Sequence, residues 1–147
     1  MGLELTSLNY LSNLINLGEI KVPVNNISEL IVDGCPQLIV LQAYDNNLST
    51  LDLTNNQELI EVSVGDNPNL TTIYVPNFEA CTYFNITNCS ISSPSTIDDI
   101  LVKLSNQGIF SGYASLNLGN NAIPTSEGID AADYLYNDLD WNVTYNT

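Results

Sequence analysis

The sequence predicts an α/β solenoid, a stack of short parallel strands with two capping helices near its C-terminal end. Three observations predict it. An aliphatic triplet followed by Asn or Cys returns every 10 or 11 residues between Leu17 and Ile91. Two such units sum to 21 or 22 residues, one winding of a coil that carries two strands. Beyond Ile91 the apolar spacing lengthens to that of a helix in "STIDDILVKLSNQG", and again from Ser126. The 147 residues suit one domain. It divides into an N-terminal cap (1–16), repeats (17–91) and helix-containing repeats with a C-terminal cap (92–147).

The N-terminal stretch "LTSLNYLSNLINLGEI" carries leucines at 5, 8, 11, 14 and 17, a period that suits an irregular capping turn better than a helix. The repeats begin with Leu17, Ile20, Val22, Asn25 and Ile27. Next come Ile27, Leu30, Val32, Cys35 and Leu38. Leu38, Leu41, Ala43, Asn46 and Leu48 spell L-x-x-L-x-L-x-x-N-x-L with alanine in one slot. Leu48, Leu51, Leu53, Asn56 and Leu59 repeat it, as do Leu59, Val62, Val64, Asn67 and Leu70. After Leu70, Ile73 and Val75, Phe78 takes the asparagine slot. Cys81, Phe84, Ile86, Cys89 and Ile91 close the run of seven units.

These units resemble the leucine-rich-repeat family, whose pattern places Asn or Cys at the ninth slot. The two-strand economy is similar to the compact repeats of Bacteroidetes proteins and some of their phages. In each unit the L-x-L pair reads as a short strand with both aliphatic side chains inward. The asparagine ends the strand, and its amide can bond backbone groups of the turn. Stacked windings align these amides into a ladder. Cysteine donates only weakly, so the turns at Cys35 and Cys89 are expected to be held less tightly. No single unit buries its own leucines; its neighbours in the stack do.

In the C-terminal third, Ser95 is expected to cap a first helix with Asp98 and Asp99 in its opening turns, where the dipole favours acids. Ile97, Ile100, Leu101 and Leu104 form its apolar stripe, and Gly108 suits its end. Tyr113, Leu116, Leu118, Asn121 and Ile123 restore the repeat. A second helix is expected over 126–138, with Ile129, Ala132, Leu135 and Leu139 inward and acids outward. "WNVTYN" repeats the strand-plus-asparagine signature through Trp141, Val143 and Asn146. The stretch from Leu116 to Asn146 also resembles C-terminal segments of leucine-rich-repeat proteins from phage structural modules.

Composition narrows function. Lys21 and Lys103 face 17 carboxylates, a net charge of −15. Such a surface repels phosphate backbones and anionic lipid, so neither nucleic acid nor membrane is expected as a partner. The chain has no histidine, so no Ser-His or Cys-His pair exists and no catalytic residue is expected. Carboxylate pairs such as Asp98 with Asp99, or Asp138 with Asp140, read as helix-end and solvated acids. Phosphate-cradling glycine loops are absent. "YDNN" (44–47) and "DNPN" (66–69) offer hard oxygen donors, but without the spacing of a calcium loop they read as turns, and no metal or cofactor is expected. Cys35, Cys81 and Cys89 fall at core positions, so they are expected to be buried thiols rather than a disulfide framework.

No apolar run reaches the length of a membrane span, and "MGLELTSLNY" lacks the order of a secretory leader. Gly2 and Thr6 match the loose acylation pattern and read equally as the cut edge of a longer chain. The N-x-[ST] matches at Asn26, Asn47, Asn69, Asn85, Asn88 and Asn142 then follow from asparagine-rich turns.

What remains is a non-enzymatic protein-binding or structural module. Outward strand slots of the units starting at 17, 38, 59 and 81 give a candidate partner-binding face: Glu19, Lys21, Val40, Gln42, Tyr44, Glu61, Ser63, Tyr83 and Asn85. It is expected to span four strands, about 19 Å. Tyr44 and Tyr83 are the side chains interfaces use as anchors, though tyrosine is also an ordinary strand former. Ile31, Asp52 and Tyr74 mark the opposite strand face. The resemblance implies a protein partner and a bacteriophage virion structural or decoration role. The alternative is a bacterial surface or secreted adhesion domain.

Overall fold

The computed structural model describes residues 5–117 and 119–147. Gly2 of the acylation pattern and Leu118 of the late repeat lie outside the described residues. The chain winds into a parallel-strand β-solenoid with two helices.

One wall is a six-stranded parallel sheet built from β2 (Glu19–Lys21), β4 (Val40–Gln42), β6 (Glu61–Ser63), β8 (Tyr83–Asn85), β9 (Tyr113–Ser115) and β10 (Asn142–Thr144). Each strand is short because only the residues around the first aliphatic of the L-x-L pair stay extended before the turn. The middle residues stack in register as Ile20, Leu41, Val62, Phe84, Ala114 and Val143. All but Val143 are buried, and Val143 packs on the same core. The other wall holds β1 (Ser7–Leu8) on β3 (Glu29–Leu30) and β5 (Thr50–Asp52) on β7 (Thr72–Tyr74). This wall is not continuous. β3 and β5 do not pair, and a surface cavity of about 330 Å³ opens beside them. Glu29, Asp33 and Asp52 line it, and like charges on facing strands oppose close approach. The windings stay joined on either side of the gap: Asn47 N–H donates to Ile27 O (2.9 Å) and Asn56 Nδ2 to Val32 O (3.1 Å).

Leu38, Leu48, Leu51, Leu53, Leu59 and Leu70 from successive windings meet in one apolar cluster that runs from Ile20 to Trp141. Burying each such side chain stabilises the fold by about 1.5–3 kcal/mol. The two departures from the repeat also point inward. Ala43 is fully buried, and Phe78 packs edge-on against Phe84 with ring centroids 5.8 Å apart. At the N-terminus the irregular turn is present, with the short strand β1 and no helix among residues 5–16. Leu8, Leu11 and Leu17 touch the core while Leu5 and Leu14 stay exposed.

Turns after the main-sheet strands share one geometry. Val24, Asp45, Asp66 and Asn88 occupy equivalent places in the coil, all with φ between 54° and 57°. The ladder residue follows each. Asn67 Nδ2 donates to Ala43 O (3.0 Å) in the winding before it and to Val64 O (3.0 Å) and Gly65 O (3.3 Å) in its own, while its Oδ1 accepts Leu48 N–H at 2.9 Å. Asn46 does the same with Val22 O, Ala43 O, Tyr44 O and Ile27 N–H. Asn121 continues it through Ile86 O, Leu116 O and Ile91 N–H. Cys89 stands in the same column with a single sulfur donor, 3.5 Å from Val64 O and 3.9 Å from Thr87 O.

Helix α1 (Pro94–Asn106) starts earlier than its sequence suggests. Ser93, not Ser95, is the N-cap, and Pro94 opens the helix, a position that needs no N–H. No acid lies in its first turn, and Asp98 is buried rather than outward. Asp98 instead holds the start of helix α2 (Ser126–Asp138): Oδ1 accepts Thr125 N–H (2.8 Å) and Oδ2 accepts the Thr125 hydroxyl (2.7 Å). Thr125 Oγ1 in turn accepts Glu127 N–H at 3.3 Å. On α2 the inward residues are Gly128, Ala131, Ala132 and Leu135, with Leu139 buried just beyond; Ile129 is only half-buried. The small residues let α2 approach α1 closely: a Cβ on Gly128 would meet Asp98.

Past the end of α1, Gln107 replaces a missing strand rung. Its Oε1 accepts Cys81 N–H (2.8 Å) and its Nε2 donates to Cys81 O (2.6 Å). Gly108, at φ +65°, then turns the chain away. Lys103 ties α1 to the end of β7 by donating to Val75 O at 2.8 Å.

Candidate docking face

The outward residues of the six-stranded sheet form two rows fixed by strand register. One reads Glu19, Val40, Glu61, Tyr83, Tyr113, Asn142; the other reads Lys21, Gln42, Ser63, Asn85, Ser115, Thr144. The face is therefore six strands wide, about 29 Å at the usual interstrand spacing, and not four.

Residues proposed from the sequence all lie on or beside this wall, with differing access. Glu19, Lys21 and Tyr44 are exposed, Tyr44 at 37%. Val40, Gln42, Glu61, Tyr83 and Asn85 are half-buried. Ser63 departs from expectation: it is 7% exposed, because its short side chain sits between the longer Gln42 and Asn85 on the paired strands. It lies in the floor of the face. Tyr113, Ser115, Asn142 and Thr144 belong to the face and were missed. Their repeats are legible in the sequence, but α1 lengthens the connection before β9 and breaks the spacing that numbered the strands.

Side chains on the face order one another. Tyr83 and Tyr113 stack with centroids 5.0 Å apart and planes 17° from parallel. Gln42 Nε2 donates to Glu61 Oε1 at 2.7 Å. Lys21 pairs with Glu19 at 2.7 Å on the outer strand. Ser115 Oγ lies 2.7 Å from Thr87 Oγ1 and 3.0 Å from Thr144 Oγ1, and donates to Asn117 Oδ1 at 3.1 Å. These bonds hold the side-chain rotamers of the face in place.

The opposite wall presents Ile31, Asp52 and Tyr74, all exposed, with Tyr74 at 57%. Asn46, Asn47, Asp66 and Asn67 each have a side-chain oxygen engaged within the coil. Asn46 and Asn67 bond the backbone, Asn69 Nδ2 donates to Asn47 Oδ1 (2.5 Å), and Asp66 Oδ1 accepts Asn88 Nδ2 (2.9 Å). Among the described residues no group of three or more Cys, Asp or Glu side chains is placed to hold a metal ion. Nor is any described helix long and apolar enough to cross a membrane. All three cysteines are free and buried. Burial pushes the Cys81 thiol up to about 12 and Cys89 to about 11, and raises Cys35 as well.

No model of a known protein family matches the chain, and no curated protein matches it.

Proposed function

We propose that this chain is a non-enzymatic protein-binding and structural module of the leucine-rich-repeat type, serving as a bacteriophage virion structural or decoration protein. The observation that carries the binding part is the six-strand face, with its stacked Tyr83–Tyr113 pair and fixed polar rows. Rigid tyrosines offer large contact area for little entropy. The repeat type rests on the aliphatic spacing and on the Asn or Cys slot that closes six of the seven units. The virion setting rests on the resemblance of the C-terminal stretch to phage structural modules. The net charge of −15 accords with a surface that does not meet nucleic acid.

Two measurements test this. Affinity capture of a binding partner should be lost with Tyr83→Ala plus Tyr113→Ala and retained with Tyr74→Ala on the opposite wall. Equal capture by both variants would remove the six-strand face as the docking surface. The gene's neighbours test the setting: portal, capsid or tail genes support the virion. An export or sorting gene overturns it in favour of a surface or secreted adhesion domain.

A further inference from the structure

Glu61 lies in the interior of the face, on β6, between Val40 and Tyr83. It is half-buried, and the Gln42 amide bonds its Oε1 at 2.7 Å, which fixes the carboxylate's direction. Among the described residues no cation answers it. The only Lys or Arg side chains are Lys21 and Lys103, and they pair with Glu19 (2.7 Å) and Asp99 (2.9 Å). Beside Glu61 stands Tyr83, stacked on Tyr113. An oriented carboxylate next to an aromatic stack is a composite that one side chain satisfies best. Lysine offers a point charge. Arginine offers a planar fork for the carboxylate and a flat cation for the ring.

We infer that the Glu61–Tyr83–Tyr113 step is an arginine-recognition subsite, and that the partner docks by placing one arginine there. This deepens the protein-binding role proposed above and rests on it. Charge complementarity favours the same occupant, since a chain of net charge −15 attracts basic segments and repels acidic ones.

The probe is a short Gly/Ser peptide bearing one arginine, titrated against the whole ¹⁵N-labelled chain and compared with peptides bearing lysine or citrulline. Backbone shifts should move at 61–63, 83–85 and 113–115 with the arginine peptide. Lysine should bind several-fold more weakly, and citrulline should leave the spectrum unchanged. Glu61→Gln, which keeps shape and removes charge, should weaken the arginine peptide at least tenfold, with the rest of the spectrum intact. Equal response to arginine and citrulline, shifts centred elsewhere, or full binding by Glu61→Gln would overturn the subsite. Partner capture separates this failure from that of the face. Capture lost with the two tyrosines but kept with Glu61→Gln leaves a docking face that does not read arginine. Capture kept with both sets of changes removes the face itself.

Discussion

Val24 holds a left-handed backbone conformation, φ +55°, that a β-branched residue adopts only under strain. Asp45, Asp66 and Asn88 take the same place in later windings, and those residue types tolerate it far better. Val24→Asn should therefore raise stability by about 1 kcal/mol in urea unfolding, and a loss would show that the valine side chain is held by packing. Asn67 makes four bonds in the ladder, as Asn46 does, and is fully buried. Asn67→Ala removes three carbonyl contacts, leaves the Leu48 N–H unpaired and should cost about 3 kcal/mol by the same assay. Asn67→Cys should cost less, because Cys89 already fills the column with one sulfur donor. The buried thiols give a pH signature. Cys81 and Cys89 sit above the ordinary 9.0 when folded, so they stay neutral in the native chain. Their stability contribution is full below pH 9 and falls as pH rises toward 11 and 12, where the unfolded chain is already ionised. Cys81→Ala should reduce that alkaline loss of urea midpoint. The asparagine ladder was legible because part of its chemistry is local: the amide reaches carbonyls two and three residues before it in its own turn.

At the scale of elements, α1 and α2 are fitted to each other through Gly128 and Asp98. In most helices Gly→Ala gains about 1 kcal/mol. Here the added Cβ would lie 2.2 Å from Asp98 Oδ1 and 2.9 Å from Pro124 Cβ, so α2 must move or Asp98 must release Thr125. Gly128→Ala should lower stability by about 2 kcal/mol. A gain in melting temperature would show that the two helices do not pack this closely. This junction was not legible beforehand. The apolar stripes of both helices stand in the sequence, and α2 spans the expected residues. That an acid on one helix would turn inward to hold the N-cap of the other depends on a contact across 27 positions. The start of α1 was displaced for a simpler reason: Pro94 fits the first helical position, which moves the cap to Ser93.

For the whole molecule, periodicity made the winding and most of the face readable. Both follow from a 21- or 22-residue turn whose aliphatic residues must share an interior. Two features escaped it. The gap between β3 and β5 forms where Glu29, Asp33 and Asp52 gather, which the repeat pattern does not weigh. The face extends to β9 and β10 because helical insertions lengthen the connections without ending the stack. The same continuity makes the core shared, so damage in its middle must reach both ends. Val62 is fully buried between Leu41 and Phe84, and Trp141, the only tryptophan, is buried in the last winding. The most direct measurement is Val62→Asp followed by Trp141 fluorescence and far-ultraviolet circular dichroism during urea unfolding. A continuous interior predicts that the charge abolishes the cooperative transition in both signals, while the parent chain shows one coincident transition. A normal Trp141 transition in Val62→Asp would contradict it, leaving the C-terminal windings with a core of their own.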